Sequence, residues 1–157
     1  MTRRSKTEYF KEEKNAPPPL SASTKRKVRF EEVDSLGIVW HGRYPSFFED
    51  SRDEFGNKYQ LEYFDMTDDG FIAPIVKLHV DYHLPLHYKD VFYIHCSLHW
   101  TDAAKLNFSY RLFNKDKLII ATGYTVQVFT DLNGKPLLLR PVFVDKFFNN
   151  WEELLKT

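Results

Sequence analysis

The run Val28-Arg29-Phe30-Glu31-Glu32-Val33-Asp34-Ser35-Leu36-Gly37-Ile38-Val39-Trp40-His41-Gly42-Arg43-Tyr44-Pro45 brings a carboxylate, a glycine turn and a helix start within a few residues of each other. Val28 and Phe30 alternate with Arg29 and Glu31 as a half-buried strand does, and the pattern breaks at Asp34, whose charge cannot stay unpaired in a core. Asp34 is therefore expected on a loop. Gly37 can take backbone angles that other residues avoid, and Pro45 suits the first turn of a helix, where its missing N–H is tolerated. A carboxylate then faces a helix N-terminus across a tight bend. Free backbone N–H groups and the positive end of the helix dipole make such a terminus a stabiliser of developing negative charge. An acid beside an anion stabiliser reads as a reaction centre.

Other reactive side chains fit no comparable arrangement. His79, His83 and His87 recur every fourth residue, as do His95 and His99, but that spacing aligns metal ligands on a helix, and these stretches read as strands, the first interrupted by Pro85. No metal site is expected. The single cysteine, Cys96, falls on the apolar side of an alternating strand and is expected to be buried and inert. There is no phosphate-cradling glycine-rich loop, serine-centred elbow or Cys–His pair of recognisable spacing.

The central run resembles the 4-hydroxybenzoyl-CoA thioesterase group of hotdog-fold proteins, which includes the Tol-Pal-associated thioesterases. The resemblance rests on Arg29-Phe30, Asp34, Gly37-Ile38-Val39-Trp40-His41 and Tyr44, and more weakly on Ala73-Pro74-Ile75-Val76 and Gly123-Tyr124-Thr125-Val126-Gln127-Val128-Phe129. It implies a thioester hydrolase in which Asp34 is the nucleophile or the general base for water, with the His41 backbone amide polarising the carbonyl. Gly37, Val39, Trp40 and Tyr44 would line the substrate site, and Lys105 would meet a CoA phosphate. The implied substrate is an acyl-CoA or an acyl-carrier-protein thioester. No separate cofactor is implied, since coenzyme A arrives as part of the substrate. A homodimer or dimer of dimers is implied as well. The other reading is a hotdog module that binds an acyl ligand or a protein without turnover.

These residues need elements to hold them. Phe47, Phe48, Ser51, Phe55 and Tyr59 recur at helical spacing from Pro45 to about Tyr59, which predicts a buried helix; Glu49, Asp50 and Asp53 read as its solvated or dipole-complementing face. Residues 60–70 read as a polar loop. Strands follow where Val76, Val80 and Tyr82 alternate with polar residues, then from Phe92 to Trp100 and from Leu106 to Leu112. Asn114-Lys115-Asp116-Lys117 predicts a hairpin turn. Leu118 to Thr130 is apolar on both parities and reads as a central strand crossed by the helix. Pro141 opens a C-terminal helix with Val144, Phe147, Phe148, Trp151 and Leu155 on one side. This order predicts an α+β fold, an antiparallel β-sheet wrapped around one long helix, which is the hotdog fold that the resemblance implies.

The chain of 157 residues suits one domain. Residues 1–24, with mixed charges and Pro17-Pro18-Pro19, read as a flexible polar extension, and residues 25–157 as the domain. With 22 basic and 22 acidic residues the net charge is zero, so no global field draws nucleic acid or an anionic membrane. The longest uncharged run is too short for a membrane span. One cysteine fits a reducing compartment, and a cytoplasmic location is expected.

Overall fold

Phe92, Ile94, Cys96 and Leu98 are fully buried on one face of β4 (Val91–His99), and Leu106, Phe108, Tyr110 and Leu112 are buried on the same face of β5 (Lys105–Asn114). The computed structural model describes residues 9–157, and in it these two strands pair antiparallel with Cys96 opposite Tyr110. Alternation in sequence thus becomes one dry face and one wetter one. Cys96 lies in the dry layer as expected, where burial pushes its thiol up to about 12. Asn114 builds the next turn: its Oδ1 accepts the Asp116 and Leu118 amides at 2.9 and 3.0 Å, and Lys117 takes a left-handed conformation.

The full sheet runs β1 (Leu20–Lys27), β4, β5, β6 (Ile119–Val128) and β3 (Ile75–Tyr82), every neighbour antiparallel. The uncharged run is interior as predicted, although β5 rather than β6 takes the middle position. Across the dry face lies α1 (Tyr44–Tyr59), burying Phe47, Phe48, Phe55 and Tyr59. Phe48 stacks flat on Tyr110 with ring centres 4.1 Å apart, and Gly123 opposite leaves room for it. The result is an α+β fold with a sheet wrapped around one long helix. A minor pair, β2 (Phe71–Ile72) with β7 (Thr130–Asp131), and two short helices, α3 (Val142–Asn149) and α4 (Trp151–Leu154), close one end. Val144, Phe147, Phe148 and Trp151 face the core, as the C-terminal pattern requires.

Three expectations differ. The strand predicted through Val28 and Phe30 ends at Lys27; Phe30–Glu32 form a single 3-10 turn that leaves Phe30 78% exposed, because Glu32 turns inward to meet Arg26. Residues 60–70 contain a helix, α2 (Tyr63–Asp68), anchored by buried Met66. At the other end, β1 starts at Leu20, five residues inside the stretch read as an extension. Residues 9–19 run over the wetter face of the sheet. Tyr9 bonds Asp81 and Thr122 at 2.7 and 2.6 Å, Phe10 packs on His99 and Tyr124, and Glu13 accepts from the Thr101 hydroxyl at 2.7 Å. The rest of the predicted extension, residues 1–8, lies outside the described residues. Among those residues no helix is long and apolar enough to cross a membrane.

His41 apart, the histidines sit on strands and the loops between them. His95 contacts the Ser23 hydroxyl at 3.1 Å and His99 the Ser109 hydroxyl at 2.7 Å. Burial holds both imidazoles below their ordinary value of 6.5, with the nearby Arg111 and Lys58 charges adding to the effect at His95. The unfolded chain therefore takes up these protons at higher pH than the folded one. Their contribution is complete above pH 6.5 and is lost as pH falls through the depressed folded values. Thermal melts from about pH 7 to about pH 5 should show a falling midpoint, with a shallower slope in the double variant His95→Asn, His99→Asn. At the helix contact, a Cβ on Gly123 would collide with the His79 carbonyl and the Phe48 ring. Gly123→Ala should therefore lower stability by about 1–3 kcal/mol in denaturant unfolding.

Candidate active site

After β1 the backbone keeps pairing, with the Val28 amide donating to Asp90 O at 2.9 Å, then folds back on itself. Val33 and Val39 face each other across a bridge, and the Trp40 amide reaches Glu32 O at 2.9 Å. Between them the chain reverses. Gly37 stands at φ +78°, and its amide donates to Asp34 O at 3.0 Å, while the Asp34 amide donates to Ile38 O at 2.9 Å. A residue with a Cβ would be strained at that angle, which is the reason for glycine here. One oxygen of the Asp34 carboxylate accepts the Leu36 amide at 2.8 Å, a local turn that fixes the side chain on its own loop. Asp34 sits on a loop, as the break in alternation predicts, and is half-buried there.

The far arm of the loop docks on the body and runs straight into the helix. The Val39 amide donates to Leu86 O at 2.8 Å, and Val39 is buried. Trp40 stays half-exposed beside the exposed His41, ring centres 5.3 Å apart. A 3-10 turn, His41–Arg43, leads into α1 at Tyr44 with Pro45 in its first turn. The Tyr82 hydroxyl donates to His41 O at 2.6 Å and so tethers the helix head to β3. Tyr44 lies beneath, buried and edge-on to Tyr82, its phenol pushed up to about 12 mainly by burial. The structure thus places Asp34, Gly37, Val39, Trp40, His41 and Tyr44 on one loop and the helix start that follows it.

Lys105 stands elsewhere. It opens β5, whose other end, Asn114, pairs with Phe92 near the loop. A strand is straight, so nine residues put Lys105 roughly 30 Å from that end.

Alongside α1 a cavity of about 550 Å³ opens between the helix, α2 and the sheet. Phe55, Leu61, Met66, Ala73, Leu106 and Phe108 form its buried floor, and Glu49, Asp50, Asp53 and Glu62 its exposed rim. That size and that apolar floor suit a small organic ligand. Ser46 and Asp50 bring its near side to the first turns of α1, but neither Asp34 nor His41 lines it within one chain. The sequence reads Glu49, Asp50 and Asp53 as a solvated or dipole-complementing face and does not single out Met66 or Gln127 as lining a site. Ser46, Glu49 and Asp53 recur at helical spacing opposite the phenylalanines, a signal of a shared face that α2 completes.

Comparison with known proteins agrees with this architecture. Residues 28–151 match the family model described as "Thioesterase-like superfamily". A relative from Aquifex aeolicus (strain VF5) is 36% identical over 111 residues, covering 71% of this chain and 85% of the relative. The acyl-CoA thioester hydrolase YbgC of Escherichia coli O6:H1 is 24% identical over 122 residues, covering 77% and 91%. Among solved structures, the DHNA-CoA thioesterase of Staphylococcus aureus superposes with a TM-score of 0.73 at 25% identity, covering 87% of this chain and 89% of that one.

Proposed function

Because the chain belongs to the thioesterase-like superfamily, we propose that it hydrolyses an acyl-CoA thioester to a carboxylate and free coenzyme A, with Asp34 as the catalytic carboxylate. The observation that carries this reading is the closed loop of residues 33–39, which joins a half-buried acid to the head of α1 through a single 3-10 turn. The first N–H groups of a helix lack intrahelical acceptors, so the carbonyl oxygen of a thioester bound there gains donors as charge develops on it. Asp34 then either attacks the carbonyl carbon, expelling the thiolate and leaving a mixed anhydride that water hydrolyses, or takes the proton of an attacking water as the thiolate leaves. The His41 amide serves the carbonyl oxygen, and Trp40 covers the acyl thioester from the exposed side. The apolar cavity along α1 is the place for the acyl group.

A second copy brings these parts together. The outer side of β3 has no strand partner among the described residues, and Ile75, Val76, Leu78 and Tyr82 are exposed on it. An unpaired strand edge carrying apolar side chains is a template for pairing. A homodimer joined antiparallel through β3 doubles the sheet. It also carries the helix head of one copy, tethered at Tyr82, toward the Ile75 end and the cavity of the other. Lys105 shares that end of the sheet, since it pairs with Val128 next to Gln127 and Ile75, and it would meet the phosphates of a substrate held by the other copy.

Replacing Asp34 with Asn should lower thiol release from acyl-CoA substrates about 10²- to 10⁴-fold in a colorimetric assay. Activity equal to wild type would defeat the assignment. Ala73→Leu, which narrows the cavity floor, should lower kcat/KM for long or aromatic acyl-CoAs while sparing acetyl-CoA. Light scattering should show Leu78→Lys at half the mass of the wild-type assembly, and an unchanged mass would remove β3 from the interface.

A further inference from the structure

Among the described residues Glu32 is the only charged side chain that is fully buried, 4% exposed. A buried charge stands only when it is paired and hydrogen-bonded, and well-packed apolar residues often stabilise a fold as well. Stability alone therefore does not account for it, but its contacts do. One Arg26 nitrogen, Nη2, lies 3.1 Å from both carboxylate oxygens of Glu32, and Oε1 also accepts the Arg29 amide at 2.8 Å. The other, Nη1, reaches Asp50 on α1 at 2.9 Å, and the guanidinium lies 4.9 Å above the centre of the buried Phe47 ring. The Glu32 carbonyl accepts the Trp40 amide. Glu32 is thus two residues from Asp34 on one arm of the loop and is bonded to the neighbour of His41 on the other.

We propose that Glu32, gripped by Arg26, is a positioning residue that sets the Asp34 loop against the head of α1. One guanidinium holds the loop through Glu32 and the helix through Asp50, so the separation of the acid from the helix amides depends on that fork. Lysine would have to reach both carboxylates from one nitrogen, without the planar fork that spans them here. The role rests on the reading of Asp34 as the catalytic carboxylate.

The test compares Glu32→Gln, Arg26→Lys, Asp34→Asn and the double variant Glu32→Gln, Asp34→Asn in full-length protein, by steady-state thiol release, thermal melting and amide exchange. Glu32→Gln keeps the size and the acceptor for the Arg29 amide while loosening the grip of Arg26. It should lower kcat by about a hundredfold with KM little changed, because a misplaced group loses transition-state rather than ground-state interaction. Exchange of the Asp34–Val39 amides should quicken relative to the sheet, and in the Asp34→Asn background the further loss should vanish. Arg26→Lys should reproduce the pattern, and it decides the matter if Glu32→Gln does not fold. Unchanged kcat in a folded variant, or a full additive loss in the double variant, overturns the proposal. If Asp34→Asn alone is as active as wild type, the parent reading fails, and exchange of the loop amides still decides whether the clamp exists.

Discussion

The closeness of one helix to one sheet governs this molecule. Phe48 lies flat on Tyr110 and fits only because Gly123 presents no side chain beside it. Phe47 meets Phe92 and Phe55 meets Phe108 on either side, so α1 is seated by aromatic contacts along its length. Interiors pack like crystals rather than oils, and a helix held in this manner cannot slide by a fraction of a turn without losing several contacts at once. Its first turn is fixed for the same reason. The loop that carries Asp34 needs such an end to lean on, and Tyr82 ties that end to β3 by bonding to the His41 carbonyl.

Charge is handled differently on the two sides of the sheet. On the helix side the ionic groups drawn toward the core are engaged, with Arg26 shared between Glu32 and Asp50 and Arg52 donating to the Tyr110 hydroxyl. The other side is polar and built of short contacts between hydroxyls and imidazoles, partly roofed by Tyr9 and Phe10. Asp81 lies under that roof, and the Tyr9 hydroxyl together with His79 keeps its carboxyl below the usual carboxylate range. With a net charge of zero, the molecule relies on these local arrangements rather than on a long-range field.

Much of this was legible because period reveals exposure. Phe92 to Leu98 and Leu106 to Leu112 announce strands, Phe47 to Tyr59 a helix, and the Asp34 loop follows from a charge that breaks an alternating pattern next to Gly37 and Pro45. What could not be read depends on partners distant in sequence. Phe30 fits a strand by type, yet the Arg26–Glu32 pair bends the chain there. Six residues are too few for α2 to show a helical period, and its anchor, Met66, gains meaning only beside Ala73 and Phe108. The cavity is made by residues from five separate stretches, and no local pattern announces it. Lys105 was joined to the loop by resemblance, whereas the length of β5 separates them within one chain.

The indole of Trp151 donates to the Pro18 carbonyl at 2.9 Å across 133 positions, and β1 pairs with β4, Leu20 facing Leu98. Pro18 and Trp151, far apart in sequence, are thereby latched beside the β1–β4 pair. A nascent chain leaving the ribosome has β1 long before that strand's neighbour β4 exists, and Trp151 comes later still. Contacts of such long separation are slow to form. Until Trp151 has been made the two segments cannot close on each other, and apolar surface left open for that time favours self-association.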